Sequence, residues 1–138
     1  MKSFLGKDKA TITVMVQAKT PDRIKELMDK SVPEGAEAFG MQFEQLLPEY
    51  RNADTYKELF SYSDKPTYVT NYRSGKNSGK TDETLAEELL CLAESGATLC
   101  DVMGDYFDRQ QGEFTTNEEA VKKQMELINK LHEKGAEV

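Results

Sequence analysis

Three dipeptides, Gly35-Ala36, Gly96-Ala97 and Gly135-Ala136, punctuate the chain where a helical spacing of apolar residues gives way to a strand-like run. Glycine at such a junction takes the left-handed conformation that closes a helix, because it has no Cβ to meet the neighbouring backbone. Each new strand then follows a helix. Strands joined through helices lie parallel, with right-handed crossovers. The fold class read from this pattern is α/β, built from parallel (βα) repeats.

The elements follow from local chemistry. Runs rich in β-branched and apolar residues predict strands over Thr11–Val16, Ala36–Phe43, Thr67–Asn71 and Thr98–Met103. Thr20-Pro21 places a capping side chain before a proline at the first helical position, and Ile24, Leu27 and Met28 keep helical spacing. A second helix is expected over Asp54–Tyr62. Thr81 opens a third, with Leu85, Leu89, Leu92 and Ala93 on its apolar side. Thr116-Asn117-Glu118-Glu119 reads as a capping box for a last helix carrying Val121, Met125, Ile128 and Leu131 to Lys134. Ala136-Glu137-Val138 resembles the opening of a fifth strand. The expected sheet has strand order 1-2-3-4 with all helices on one side, leaving free edges and an apolar inner face around Val14, Met15, Val69 and Val102. Such a face predicts a homo-oligomer or a complementary half that covers it.

Composition bounds the function classes. The 138 residues suit one domain, 1–138. A formal charge of −7 with scattered basic residues argues against a nucleic-acid surface. No apolar run approaches a membrane span, and the polar stretch after Met1-Lys2 does not read as a secretory signal. Cys91 and Cys100 lack metal-ligand spacing and read as reduced thiols of a cytoplasmic protein, with no metal and no cofactor expected. His132, in the last turn of a helix, reads as a solvated position favoured by the helix dipole.

The segment Thr70–Thr81, TNYRSGKNSGKT, poses the sharpest question. Gly79-Lys80-Thr81 resembles the end of a phosphate-binding loop, and Leu99-Cys100-Asp101 imitates the strand that would accompany it. The first glycine of that pattern falls on Ser74, however, and Gly75 is one place late. A small flavodoxin-like or phosphate-binding domain is therefore one of three readings. A second is a binding or assembly module completed by a partner.

The third comes from a resemblance. Lys65-Pro66-Thr67-Tyr68-Val69-Thr70, then Arg73-Ser74-Gly75-Lys76 and Gly79, resembles the third strand and following loop of type I 3-dehydroquinate dehydratase. Gly96–Met103, GATLCDVM, is similar to that family's fourth strand, and Ala36–Leu47 to its second. The resemblance covers about Thr11 to Val138. It implies a (β/α)₈ barrel of the aldolase type, here its first four βα units as an open half-barrel. It also implies a lyase that dehydrates 3-dehydroquinate in the shikimate pathway through a lysine Schiff base. The implied lysine and its histidine partner would lie beyond Val138, so no catalytic residue is assigned and this chain alone is expected to be inactive. Substrate-binding positions carried over are Arg73 and Asp101, which match the family, and Gln42, Asn77 and Met103, which replace its charged residues. Gly40 likewise stands where the family has glutamate. Arg73 is the expected grip on a substrate carboxylate, since a guanidinium offers two parallel hydrogen bonds. Lys76 and Lys80 are expected to face solvent.

Overall fold

The computed structural model describes all 138 residues, Met1 to Val138. Strands β1 (Thr13–Met15), β2 (Ala38–Gln42), β3 (Thr67–Thr70) and β4 (Leu99–Cys100) form one sheet in the order β1-β2-β3-β4. Every pairing is parallel. Helices α1 (Pro21–Ser31), α2 (Ala53–Ser61), α3 (Asp82–Glu94) and α4 (Glu118–Glu133) follow the strands in turn. The protein is therefore α/β with an all-parallel sheet. The order 2-1-3-4 that a flavodoxin-like fold requires is not present.

Caps explain where the helices start. Thr20, Asn52 and Thr81 each accept a hydrogen bond from the amide three residues on, and Pro21 occupies the first turn of α1. Gly35, Gly96 and Gly135 sit at φ of 98°, 112° and 88°, closing α1, α3 and α4 in the left-handed conformation the repeat required. The capping box expected at Thr116 is corrected. Thr115 Oγ1 accepts from Asn117 N at 3.0 Å, and Asn117 itself caps α4 through Ala120 N. That turn delays the helix by one residue.

Register decides which face is buried. Met15, Gly40, Tyr68 and Leu99 lie in one row across the sheet, and Met41, Val69 and Cys100 in another. Side chains alternate faces along a strand, so the rows point to opposite sides. Phe39, Met41, Val69 and Cys100 join residues of all four helices in one core cluster of 23 buried residues. Val69 is fully buried there, which corrects its assignment to the exposed inner face, whereas Met15 is 42% exposed. Gly40 has a packing role: the Met15 thioether occupies the space that a Cβ at this position would fill.

The fourth strand is shorter than expected. Thr98 N and Asp101 N still bond to β3 carbonyls, but Val102 and Met103 leave the ladder for the β4–α4 loop. Glu137 makes a single parallel bridge to Leu99, with Glu137 N donating to Thr98 O and Cys100 N to Glu137 O, both at 2.8 Å. At the opposite ends of the strands the N-terminal segment crosses over: Lys2 Nζ donates to Phe60 O and Ser63 O, and Phe4 N to Glu137 Oε2. No helix is long and apolar enough to cross a membrane.

Candidate functional site

An open cleft of about 940 Å³ lies beyond the C-terminal ends of β3 and β4. Its walls are Tyr72–Ser74 of the β3–α3 loop, Asp101–Asp105 at the end of β4, and Arg109, Gln110, Gln111 and Glu113 farther along the β4–α4 loop. A second hollow of about 390 Å³ shares Asp101–Gly104 and extends to Tyr68, Leu99, Val138 and the Gln124 and Ile128 side chains of α4. In parallel sheets the C-terminal strand ends are where loops converge and ligands bind, so the location fits a site.

Asp101 stands at the junction of the two hollows. Its Oδ2 accepts from the Tyr68 hydroxyl at 2.7 Å and from the Tyr72 hydroxyl, while Oδ1 has no protein donor. Burial and the Asp101 carboxylate both push the two phenols above the ordinary tyrosine range, because a phenolate there would be desolvated and face a like charge. The tyrosines thus remain protonated donors to Asp101. Thr70, between Tyr68 and Tyr72 on the same face, donates to both oxygens of Glu44 at 3.1 and 3.0 Å, and Glu44 is 1% exposed. That carboxylate is held by neutral donors alone.

Arg73 is clasped. Its Nε and Nη2 donate to the two oxygens of Asp82 at 2.8 and 2.7 Å, and Nη1 donates to Asp105 Oδ1 at 2.8 Å. Nη2 also donates to the Asp105 carbonyl at 3.0 Å. A guanidinium carries five N–H groups, so these bonds leave one free. The residue lines the cleft, but its fork is already closed on a carboxylate of the chain. Arg73, expected to grip a substrate carboxylate, here holds two carboxylates of the chain itself and keeps one N–H for the cleft. Asp82 is the first residue of α3 and also accepts from Phe107 N at 2.8 Å. The Arg73 guanidinium holds its carboxyl below the ordinary value, against an opposing contribution from burial.

The phosphate-loop reading fails on the same geometry. A phosphate cradle needs backbone N–H groups turned outward. Here Asn77 N, Ser78 N and Lys80 N turn back to the carbonyls of Ser74, Gly75 and Asn77. At the start of α3, Thr81 accepts from Thr84 N and the first helical residue, Asp82, brings a negative charge that disfavours an added anion. Lys80, expected in solvent, is partly buried and donates to Glu88 Oε1. Lys76 is exposed.

The remaining sequence-derived positions divide. Asp101 and Met103 border the cleft. Asn77 is fully buried, with Nδ2 donating to Asn71 Oδ1 and the Tyr72 carbonyl, and Oδ1 accepting from Arg51. It therefore shapes the loop and offers nothing to a ligand. Arg51 and Asn71 extend this cluster to Glu88 at 2.8 and 2.9 Å. Burial raises the Glu88 carboxyl, but Lys80, Asn71 and Arg51 together bring it below its ordinary value. Gln42 borders neither hollow. Sequence reasoning missed Tyr68, Tyr72, Asp105 and Arg109. The alternation Tyr68-x-Thr70-x-Tyr72 was a usable signal, since a period of two puts all three on the face that Asp101 shares. Asp105 and Arg109 lie in irregular chain and carried no such mark.

The β4–α4 loop is rigidly braced. Phe107 and Glu113 adopt φ of 69° and 57°, conformations that cost a side-chain-bearing residue about 1–3 kcal/mol. Surrounding bonds offset this: Gln110 N donates to Asp105 Oδ2 at 2.9 Å, and Gln124 Nε2 donates to the Gly104 and Tyr106 carbonyls.

No protein-family model and no curated protein sequence matches the chain.

Proposed function

We propose that the chain is a small-molecule-binding unit of the (β/α)-barrel kind, resembling the N-terminal half of type I 3-dehydroquinate dehydratase. Its role in this reading is to hold a polyhydroxylated acid at the C-terminal ends of the strands. The observation that carries it is Asp101, a cleft-lining carboxylate with one oxygen fixed by two tyrosine hydroxyls and the other without a protein donor. A carboxylate oriented in this way accepts hydrogen bonds from ligand hydroxyls without reorganising. The sequential strand order and the placement of all helices against one core support the barrel assignment.

Schiff-base dehydration requires an amine beside the ketone. The nitrogen groups bordering the cleft are the Arg73 and Arg109 guanidiniums and the Gln110 and Gln111 amides. In this proposal the chain by itself binds and does not turn over, and a cytoplasmic setting goes with the reduced thiols Cys91 and Cys100. Calorimetry with 3-dehydroquinate tests it. Binding that weakens about tenfold or more in Asp101→Asn supports the reading. Absence of heat at millimolar ligand, or unchanged affinity in the variant, removes it. Borohydride with substrate should leave no lysine adduct.

We also propose that the chain self-associates. Met15 on the open sheet face and Val121 and Met125 on the outer side of α4 are 42%, 38% and 52% exposed, at opposite ends of the strand order. Light scattering that returns only monomer at high micromolar concentration would rule this out.

A further inference from the structure

This inference rests on the reading of the cleft as a small-molecule site. We infer that Arg109 is the residue that selects a carboxylate-bearing ligand there, and that Arg73 serves instead to position the loop carrying it. Two guanidiniums border the cleft. Arg73 gives four of its five N–H groups to Asp82 and Asp105. Arg109 is exposed and takes part in none of the chain's ion pairs, so its fork is open.

The backbone around Arg109 is nevertheless held on both sides. Phe107 N donates to Asp82 Oδ2 at 2.8 Å, Asp108 N to the Asp105 carbonyl at 3.1 Å, and Gln110 N to Asp105 Oδ2 at 2.9 Å. Asp82 and Asp105 are the two carboxylates that Arg73 bridges. A fixed backbone presenting an unpaired fork reduces the ordering required when a carboxylate arrives. Asp101, Asp105 and Glu113 line the cleft against Arg73 and Arg109, and Arg73 is shared between Asp105 and Asp82, so negative charge is in excess and Arg109 is the one guanidinium outside an ion pair. That excess leaves the Arg109 fork as the one place where a carboxylate is attracted, with ligand hydroxyls on the Asp101 side. It opposes a polyanion such as a nucleoside triphosphate.

The test uses the full chain, with quinate as a cyclic polyhydroxy carboxylate and its uncharged carboxamide as the control. By calorimetry the unaltered protein should prefer quinate about tenfold or more. Arg109→Gln should bind the two compounds equally, with carboxamide affinity unchanged. Arg109→Lys should keep part of the preference, as a point charge without the bidentate fork. A full preference retained in Arg109→Gln overturns the inference and leaves the cleft's general reading intact. Failure of the unaltered protein to bind either compound overturns both. Arg109 is exposed, so Arg109→Gln should melt within a degree or so of the parent, and circular dichroism confirms that any lost preference is local.

Discussion

Arg73 lies across the mouth of α3 with its fork closed on Asp82, Nε to Oδ1 at 2.8 Å and Nη2 to Oδ2 at 2.7 Å. The same guanidinium reaches Asp105, which is 3% exposed, so one side chain joins the β3–α3 loop, the start of α3 and the β4–α4 loop. Removing it would leave two carboxylates short of their cation.

The first prediction concerns that triad. Arg73→Gln should destabilise the protein by about 3 kcal/mol, since breaking a largely buried ion pair exposes its partners' desolvation cost. Urea unfolding measures it. A loss below about 1 kcal/mol would mean that the triad behaves as an ordinary surface pair.

Acid stability tests the same residues by a different route. Asp82 and Glu88 are both held below their ordinary carboxyl values in the folded state, and so is Glu137 where it accepts from Ser3 and Phe4. A depressed folded pKa contributes stability that is complete above the unfolded value and lost as pH falls through the folded one. Stability should therefore be level above about pH 5 and decline below it. Asp82→Asn should be less stable near neutrality and show a shallower decline. Equal slopes for the two proteins would contradict the assignment.

Alkaline titration addresses Asp101. Tyr68 and Tyr72 are held protonated beyond the ordinary tyrosine range, first by burial and then by the Asp101 carboxylate. Ultraviolet difference titration should resolve a tyrosine fraction that ionises only beyond the ordinary tyrosine range or on unfolding. Asp101→Asn should bring part of that fraction down. Because burial is the larger cause, the return should be incomplete.

Glu44 supplies the last prediction. Thr70 donates to both oxygens of this buried carboxylate, and Tyr72 N approaches Oε2 at 3.4 Å. Thr70→Val keeps the volume but removes the donor, and should cost about 1–3 kcal/mol as an unpaired buried acceptor. Thr70→Ser should recover most of it. If Thr70→Val is neutral in thermal unfolding, the Tyr72 amide is enough to hold Glu44.

The alternation of helices and strands was legible in the sequence because it depends on neighbours. Thr20, Thr81 and the closing glycines act over three or four residues, so their chemistry could be read without knowing the rest of the chain. The helix start at Asn117 was misplaced by one residue because Thr115 also donates to Asp108, a contact across the loop. Asp101 and Met103 were singled out through the resemblance to a family's fourth strand, and both border the cleft. Arg73 was found for the same reason, yet its partners Asp82 and Asp105 are 9 and 32 residues away. Whether a guanidinium greets a ligand or bridges two of the chain's own carboxylates depends on which loops converge. Likewise Val69 and Tyr68 differ only in which side of the sheet they meet, and pairing register settles that. Local capping and periodicity determined the elements; the tertiary structure alone decided which charges were already neutralised, because that depends on contacts between segments distant in sequence.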